Sequence, residues 1–143
     1  MFIGEHQHSI DIKKRLALPA KFRKELGKTV VITRGFESCL VIYSKDQWKK
    51  VMQELNNLPF GRAEARKFTR AILGGAAEVS LDKLGRILIP DYLKKYAGLK
   101  KNTTICGLSN KIEIWDSNKW ENYRKKAELD IDKVAENLPD LGI

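Results

Sequence analysis

Cysteine is scarce in this chain, with Cys39 and Cys106 the only two in 143 residues. They stand far apart and no C-x-x-C spacing occurs, which excludes a disulfide-stapled scaffold and a zinc-finger ligand set; both are expected to be reduced. Histidine is equally rare. His6 and His8 fall on one face of an extended strand, but no third ligand of suitable type stands nearby, so they read as strand residues and no metal site is expected. Long hydrophobic runs are missing too. No stretch of about 18 apolar residues suits a membrane span, and no charged-then-apolar leader runs into small residues, so a cytosolic location is expected. No glycine-rich phosphate loop follows a strand, no G-x-S-x-G elbow occurs and no histidine sits in a plausible triad. Neither catalysis, nor a cofactor, nor a small-molecule substrate is expected.

Acidic charge is in deficit as well: 27 Lys and Arg stand against 18 Asp and Glu, a net charge of +9. The excess is unevenly placed. Residues 1–75 carry 15 basic and 7 acidic side chains, whereas residues 76–143 carry 12 and 11. A basic half beside a nearly neutral half points to one face that meets a polyanion, since charge spread only for solubility would explain the total better than the asymmetry.

What the chain does contain is a repeat. Residues 9–27 read S-I-D-I-K-K-R-L-A-L-P-A-K-F-R-K-E-L-G, and residues 80–98 answer with S-L-D-K-L-G-R-I-L-I-P-D-Y-L-K-K-Y-A-G. Asp11, Arg15, Pro19 and Gly27 fall on Asp82, Arg86, Pro90 and Gly98 at one constant offset. Further on, Gly35, Leu40, Ile42, Tyr43 and Trp48 match Gly107, Ile112, Ile114, Trp115 and Trp120 once a single residue is inserted in the second copy. Two units of roughly fifty residues each bury little surface alone, so one body with pseudo-two-fold symmetry is expected.

Within a copy, apolar runs flank a segment from Asp to Arg that suits a tight turn, which predicts a β-hairpin with a charged tip. Pro19 and Pro90 fit the first helical position, with Gly27 and Gly98 just past the helix end. Residues 29–33 and 40–43 read as a second hairpin around Arg34-Gly35-Phe36. Ser44 and Gln47 form a capping box, and Trp48, Val51, Met52 and Leu55 recur at helical spacing as a core stripe. Leu58-Pro59-Phe60-Gly61 ends that helix.

The D-x-x-x-R segment with its following proline, the duplication, the opening M-F-I-G-E, the linker R-x-x-x-R-K-F-T-R and the second-copy D-K-L-G-R-I-L-I-P together resemble the MraZ family of bacterial regulators. The resemblance covers nearly the whole chain except the last twenty or so residues. It implies an α+β, predominantly β fold: two AbrB-like, swapped-hairpin β-barrel repeats related by pseudo-two-fold symmetry, with short helices and a connecting helical segment. The expected division is a DNA-reading first repeat over residues 1–50, a helical linker over 51–75, a second repeat over 76–123 and a C-terminal tail over 124–143. The resemblance also implies double-stranded DNA as partner, a ring-like homo-oligomer of about eight chains, and binding to direct repeats in the promoter of a cell-division and cell-wall gene cluster. A cytoplasmic, nucleoid-associated regulator follows. The alternatives are an antitoxin-like protein-interaction module and a protein that binds nucleic acid by charge alone.

The candidate DNA-binding residues are Lys13, Lys14 and Arg15 at the first tip, with Lys21 and Arg23 on the helix that follows. Arg15 has two readings: a contact to guanine, or an internal ion pair with Asp11, which Asp82 and Arg86 repeat in the second copy. On the second reading the pairs shape both turns and the lysines supply the contacts at the first tip alone. The family's first tip is usually D-x-K-G-R, so Lys14 stands where glycine is expected; either a strained residue or a different turn follows. Arg62, Arg66 and Arg70, at steps of four, form a stripe that meets phosphate or pairs with carboxylates of a neighbouring subunit, while Phe68 and Ile72 on another face should be buried. Leu129, Ile131, Val134 and Leu138 punctuate the charged tail at a spacing compatible with a helix that frays over residues 139–143.

Overall fold

A computed structural model describes residues 1–139 and 141–143; Asp140, part of the stretch expected to fray, lies outside the described residues. The chain runs β1 (Phe2–Ser9), β2 (Arg15–Ala17), α1 (Ala20–Leu26), β3 (Thr29–Arg34), a 3-10 turn (Phe36–Ser38), β4 (Leu40–Ser44), α2 (Lys45–Asn56) and α3 (Ala63–Gly74). It continues β5 (Ala77–Ser80), β6 (Arg86–Leu88), α4 (Asp91–Tyr96), β7 (Asn102–Ser109), β8 (Ile112–Asp116) and α5 (Ser117–Glu136). Mixed α/β structure with antiparallel strands is thus present, and the elements recur in the order that the repeat predicts.

The partners of those strands differ from expectation. Six strands form one open sheet in the order β1-β7-β8-β4-β3-β5, and β2 and β6 form a separate two-stranded ribbon. No closed barrel exists among the described residues, because the three-residue strands β2 and β6 pair with each other and leave β1 and β5 as sheet edges. The expected hairpin through the charged tip is also absent. β1 pairs along its whole length with β7 of the other copy, from Phe2 opposite Ser109 to Ser9 opposite Asn102. Reciprocally, β5 pairs with β3, from Thr29 opposite Ser80 to Ile32 opposite Ala77. The second predicted hairpin does form, with β3 beside β4 and β7 beside β8.

Two contacts locate the relation between the copies. In the ribbon Leu16 lies opposite Ile87, its own counterpart in the repeat. In the large sheet Val41 lies opposite Glu113, again its counterpart. Equivalent residues facing each other at both places are what a two-fold relation requires. Tip and strand reciprocate too: the Leu18 N–H donates to the Gly85 carbonyl and the Ile89 N–H to the Lys14 carbonyl, each at 3.0 Å.

One face of the sheet and the ribbon enclose the main core. Leu16, Leu18, Ile32, Ile42, Ile87, Ile89, Ile105, Ile112 and Ile114 there are almost wholly buried, together with Phe22 of α1 and Leu93 of α4. Pro19 and Pro90 stand one position earlier than expected, at the N-cap with extended ψ values of 134° and 139°. Their missing N–H is no loss there either. The other face is covered by α2, α3 and α5. The Ser44 hydroxyl accepts the Gln47 N–H at 3.2 Å, and Trp48 and Leu55 are buried as the stripe predicts. Trp120 packs on Trp115 at 5.3 Å between ring centroids. Arg34 ties α3 and α4 to the sheet: its guanidinium donates to the Ala71 carbonyl at 2.8 Å and lies near the rings of Tyr92 and Tyr96.

Phe68 departs from expectation. It is 38% exposed and stacks at 6.1 Å on the more exposed Phe36, because among the described residues no element covers that side of α3. Among the described residues no helix is long and apolar enough to cross a membrane.

Because Leu16 and Ile87 meet at the two-fold position with no exposed surface, Leu16→Ala removes a contact on which both copies depend. It should cost about 2–5 kcal/mol, read as a lowered urea midpoint with an unchanged slope.

Candidate nucleic-acid interface

Each tip is built around one carboxylate. Asp11 Oδ1 accepts the backbone N–H groups of Lys13 and Arg15, both at 2.9 Å, and Oδ2 accepts the Arg15 Nε–H at 2.8 Å. The turn is closed by the Asp11 N–H on the Arg15 carbonyl and the Lys14 N–H on the Asp11 carbonyl, each at 3.0 Å. The second tip repeats this bond for bond. Asp82 Oδ1 accepts from the N–H groups of Leu84 (2.9 Å) and Arg86 (2.8 Å), and Oδ2 accepts the Arg86 Nε–H at 2.7 Å. Short aspartates suit this place because the carboxylate reaches its own backbone two residues on. Both acids are held below their ordinary value of 3.8, first by the backbone N–H of the arginine, then by its guanidinium.

The ion pair of the second reading is present, and it does not occupy the terminal nitrogens that the first reading needs. A guanidinium has five N–H donors in a fixed fork, and the Asp11 contact uses the one on Nε. The carboxylate therefore aims the two terminal nitrogens, which are the pair that a bidentate partner needs. Arg86 is held identically on Asp82.

The tips differ at one position. Lys14 has φ +63° and Gly85 has φ +73°, so the lysine adopts the left-handed conformation expected of glycine, and the alternative of a different turn is overturned. Its ammonium pairs with Asp91 at the start of α4, which engages one of the lysines expected to face DNA. A side chain at Gly85 has no such room: a Cβ there would lie 2.1 Å from Arg23 Nε. Arg23 donates to the Leu18 carbonyl at 2.9 Å and packs against the second tip. The counterpart of Arg23 in the repeat is Lys94. Arginine over glycine at one tip and lysine beside lysine at the other form a matched pair of differences.

The ribbon register sets Arg15 opposite Leu88 and Ala17 opposite Arg86. Two residues along a strand and one strand across place the two arginine Cα atoms roughly 8 Å apart. Both tips thus flank one short ribbon on one face. An open groove of about 700 Å³ beside the second tip is lined by Arg23, Lys28 and Lys83, and its counterpart of about 690 Å³ beside the first by Lys14, Lys94, Lys95 and Lys100. Nothing in the sequence singles out Lys83, Lys94, Lys95 and Lys100, because the second half is nearly neutral overall. Much of that half's acidity lies elsewhere: residues 127–143 carry one lysine against five acidic side chains.

Lys21 is exposed on α1, its ammonium 5.6 Å from the Phe22 ring centroid. His6 and His8 share one face of β1, and His6 sits edge-on to Phe22 at 5.1 Å. Burial, then His6 and Arg23, hold the His8 imidazole below its ordinary value. Arg62, Arg66 and Arg70 lie away from the tips, on the linker. Arg66 donates to the carbonyls of Phe60 (3.2 Å) and Gly61 (3.0 Å), and Arg70 lies 5.9 Å from the Phe60 ring centroid. Cys39 and Cys106 are buried as thiols near Glu113; burial is the main cause that raises both, Cys106 to about 12. Among the described residues no group of three or more His, Cys, Asp or Glu side chains could hold a metal ion.

The family model described as MraZ protein, putative antitoxin-like, matches residues 1–71 and again residues 72–141. The chain belongs to the MraZ family. Two matches in series also support the duplication independently of the strand pairing. Relatives named transcriptional regulator MraZ cover the chain from end to end. That of Syntrophomonas wolfei is 44% identical over 143 residues, with all of both chains covered. That of Desulforamulus reducens is 46% identical over 141 residues, covering 99% of each, and that of Oenococcus oeni 48% over 143, covering all of both.

Two outcomes test the tip geometry. A carboxylate whose folded-state pKa is lowered stabilises the fold above its unfolded pKa, and that stability is lost as acid protonates it. The thermal midpoint should therefore hold near neutrality and fall below roughly pH 4, with a shallower acid limb in Asp82→Asn. The second outcome concerns the mismatch at the tips. Lys14→Gly relieves a positive φ and should change stability by no more than about 1 kcal/mol, whereas Gly85→Lys meets both the strained φ and Arg23 and should cost distinctly more in a urea titration.

Proposed function

We propose that this chain is a sequence-specific, DNA-binding transcriptional regulator. The observation that carries the reading is the pairing of two aspartate-aimed arginines, Arg15 and Arg86, side by side on one lysine-rimmed face. A narrow ribbon with projecting tips can enter a major groove, where arginine makes bidentate contacts to guanine and lysine meets phosphate. The names of the full-length relatives support the same reading. Lys13, Lys14, Arg15, Lys21 and Arg23 are assigned to the interface, with Lys13 and Lys21 as phosphate contacts and Arg23 as the support of the opposite tip. Arg86 joins them as a reader, because nothing in its geometry distinguishes it from Arg15.

The proposed target is a set of direct repeats in the promoter of the chain's own cell-division and cell-wall gene cluster, bound in the cytoplasm on nucleoid DNA. A ring of about eight copies suits such a target. Two-fold dimers face inverted half-sites, whereas subunits related by rotation about a ring present their tips in the same sense. The reciprocal exchange of β1 and β5 between copies supports kinship with swapped-hairpin AbrB-like domains.

The test is binding to the DNA upstream of the gene beside a shuffled duplex of equal length. The expected preference is about 10³-fold or more. Arg15→Ala and Arg86→Ala should each lower that preference by roughly 10- to 100-fold with the folded circular dichroism spectrum retained. Lys13→Ala with Lys83→Ala should flatten the dependence of log K on log salt by about 2 for each engaged unit while leaving the preference in place. Equal affinity for both duplexes would replace the proposal with charge-driven binding. An absence of binding at moderate salt would favour the antitoxin-like interaction module.

A further inference from the structure

The chain carries two apolar surfaces that it leaves uncovered, and their charges are opposite. The first is at the end of α5. Its first two turns pack on the sheet through Trp120 and Tyr123, but from Lys125 onward every described residue except Ala135 is exposed. Ala127, Ile131, Val134 and Leu138 recur there at helical spacing, Ile131 at 65% exposure and Val134 at 50%. Helical geometry sets Asp130 along one side of this stripe and Glu128 and Asp132 along the other. It is an acidic arm with an apolar edge.

The second surface lies over α3 and the turn before it. Phe36, Leu58, Phe60 and Phe68 are all exposed by more than a third. Phe36 and Phe68 also border a cleft of about 120 Å³ that reaches down to Val51 and Leu55. Arg62, Lys67 and Arg70 surround the aromatics, exposed and with no carboxylate partner among the described residues. It is a basic rim around an apolar floor.

We infer that the α5 arm of one copy docks across α3 of the next, with Ile131 and Val134 on the aromatic floor and Asp130 and Asp132 against Arg62 and Arg70. The arm does not reach this surface in its own chain, because α5 is one continuous helix that packs on β7 and β8. The two surfaces are different patches, so the contact is head-to-tail and propagates from copy to copy until a ring closes. The inference rests on the proposed self-association and gives it its contacts. It also assigns the arginine stripe to a neighbouring subunit instead of to phosphate.

The test uses full-length protein without DNA, read by sedimentation equilibrium against the single-chain mass of 16.4 kDa. Wild type should sediment as a multiple of that mass. Ile131→Lys with Val134→Lys should sediment as the single chain with an unchanged circular dichroism melt, since both side chains are exposed. Arg62→Glu with Arg70→Glu should do the same, and adding Asp130→Arg with Asp132→Arg to that variant should restore the wild-type mass. Wild type that stays at 16.4 kDa at all concentrations would sink the self-association reading along with this one. Wild type that associates while the arm variant associates equally, or a charge swap that fails to restore mass, would overturn the arm contact alone.

Discussion

Neither copy of the repeat can complete its own sheet, and the rest of the structure depends on that. Among the described residues β1 has its ladder only on β7, and β5 only on β3. The three-residue strands β2 and β6 pair, among the described residues, with each other alone. A half-molecule would expose unpaired backbone groups along these strands and the apolar side chains of the shared core, and both are costly in water-accessible form. The cooperative unit is therefore the pair, and the tips are held in place by the pairing. The carbonyl at each tip accepts a backbone bond from the strand that follows the other tip. A change at one arginine loop is transmitted to its twin by backbone hydrogen bonds, not by side chains that can adjust.

On the proposed function, an ion pair and a recognition contact need not compete for one arginine. A free arginine side chain loses substantial rotamer freedom when it binds. Fixing Nε on Asp11 or Asp82 incurs that loss during folding, in a turn that the same aspartate already organises through two backbone N–H groups. What is left is an oriented pair of donors beside a second oriented pair. The aspartates are structural in the sense that the turn is built on them, and under the proposed function they also aim the fork. The reaching lysines are held less firmly, and Lys14 is partly neutralised by Asp91.

The local chemistry was legible in the sequence and the long-range pairing was not. Ser44 and Gln47, the prolines, the β3–β4 turn and the Asp-to-Arg segment each act over a few residues, and the structure has them where the sequence places them, to within one position. The turn at Asp11 looks like a hairpin because its own hydrogen bonds are those of a tight turn. The ladders on either side go to the other copy, and nothing within ten residues of Asp11 specifies that. The same limit hid Lys94 and Lys95: the charge of a segment is readable, but not that α4 lies beside the first tip and α1 beside the second. Phe68 failed for a related reason, since helical spacing identifies an apolar face without identifying what covers it.

Where the copies agree and where they diverge is itself informative. The ribbon, both turns and the core beneath them keep the two-fold relation down to individual hydrogen bonds. The opposite side of the sheet does not: α2 is followed by a second helix, α3, with its exposed aromatics and arginines, whereas the counterpart of α2 simply extends as α5 into an acidic arm. A unit with full two-fold symmetry would present the same patch twice and have no distinct head and tail. Breaking the symmetry on the side away from the tips gives the unit two unlike ends while both arginines remain on one face. Head-to-tail assembly requires unlike ends, and a row of identical reading faces requires that the divergence stop short of the ribbon.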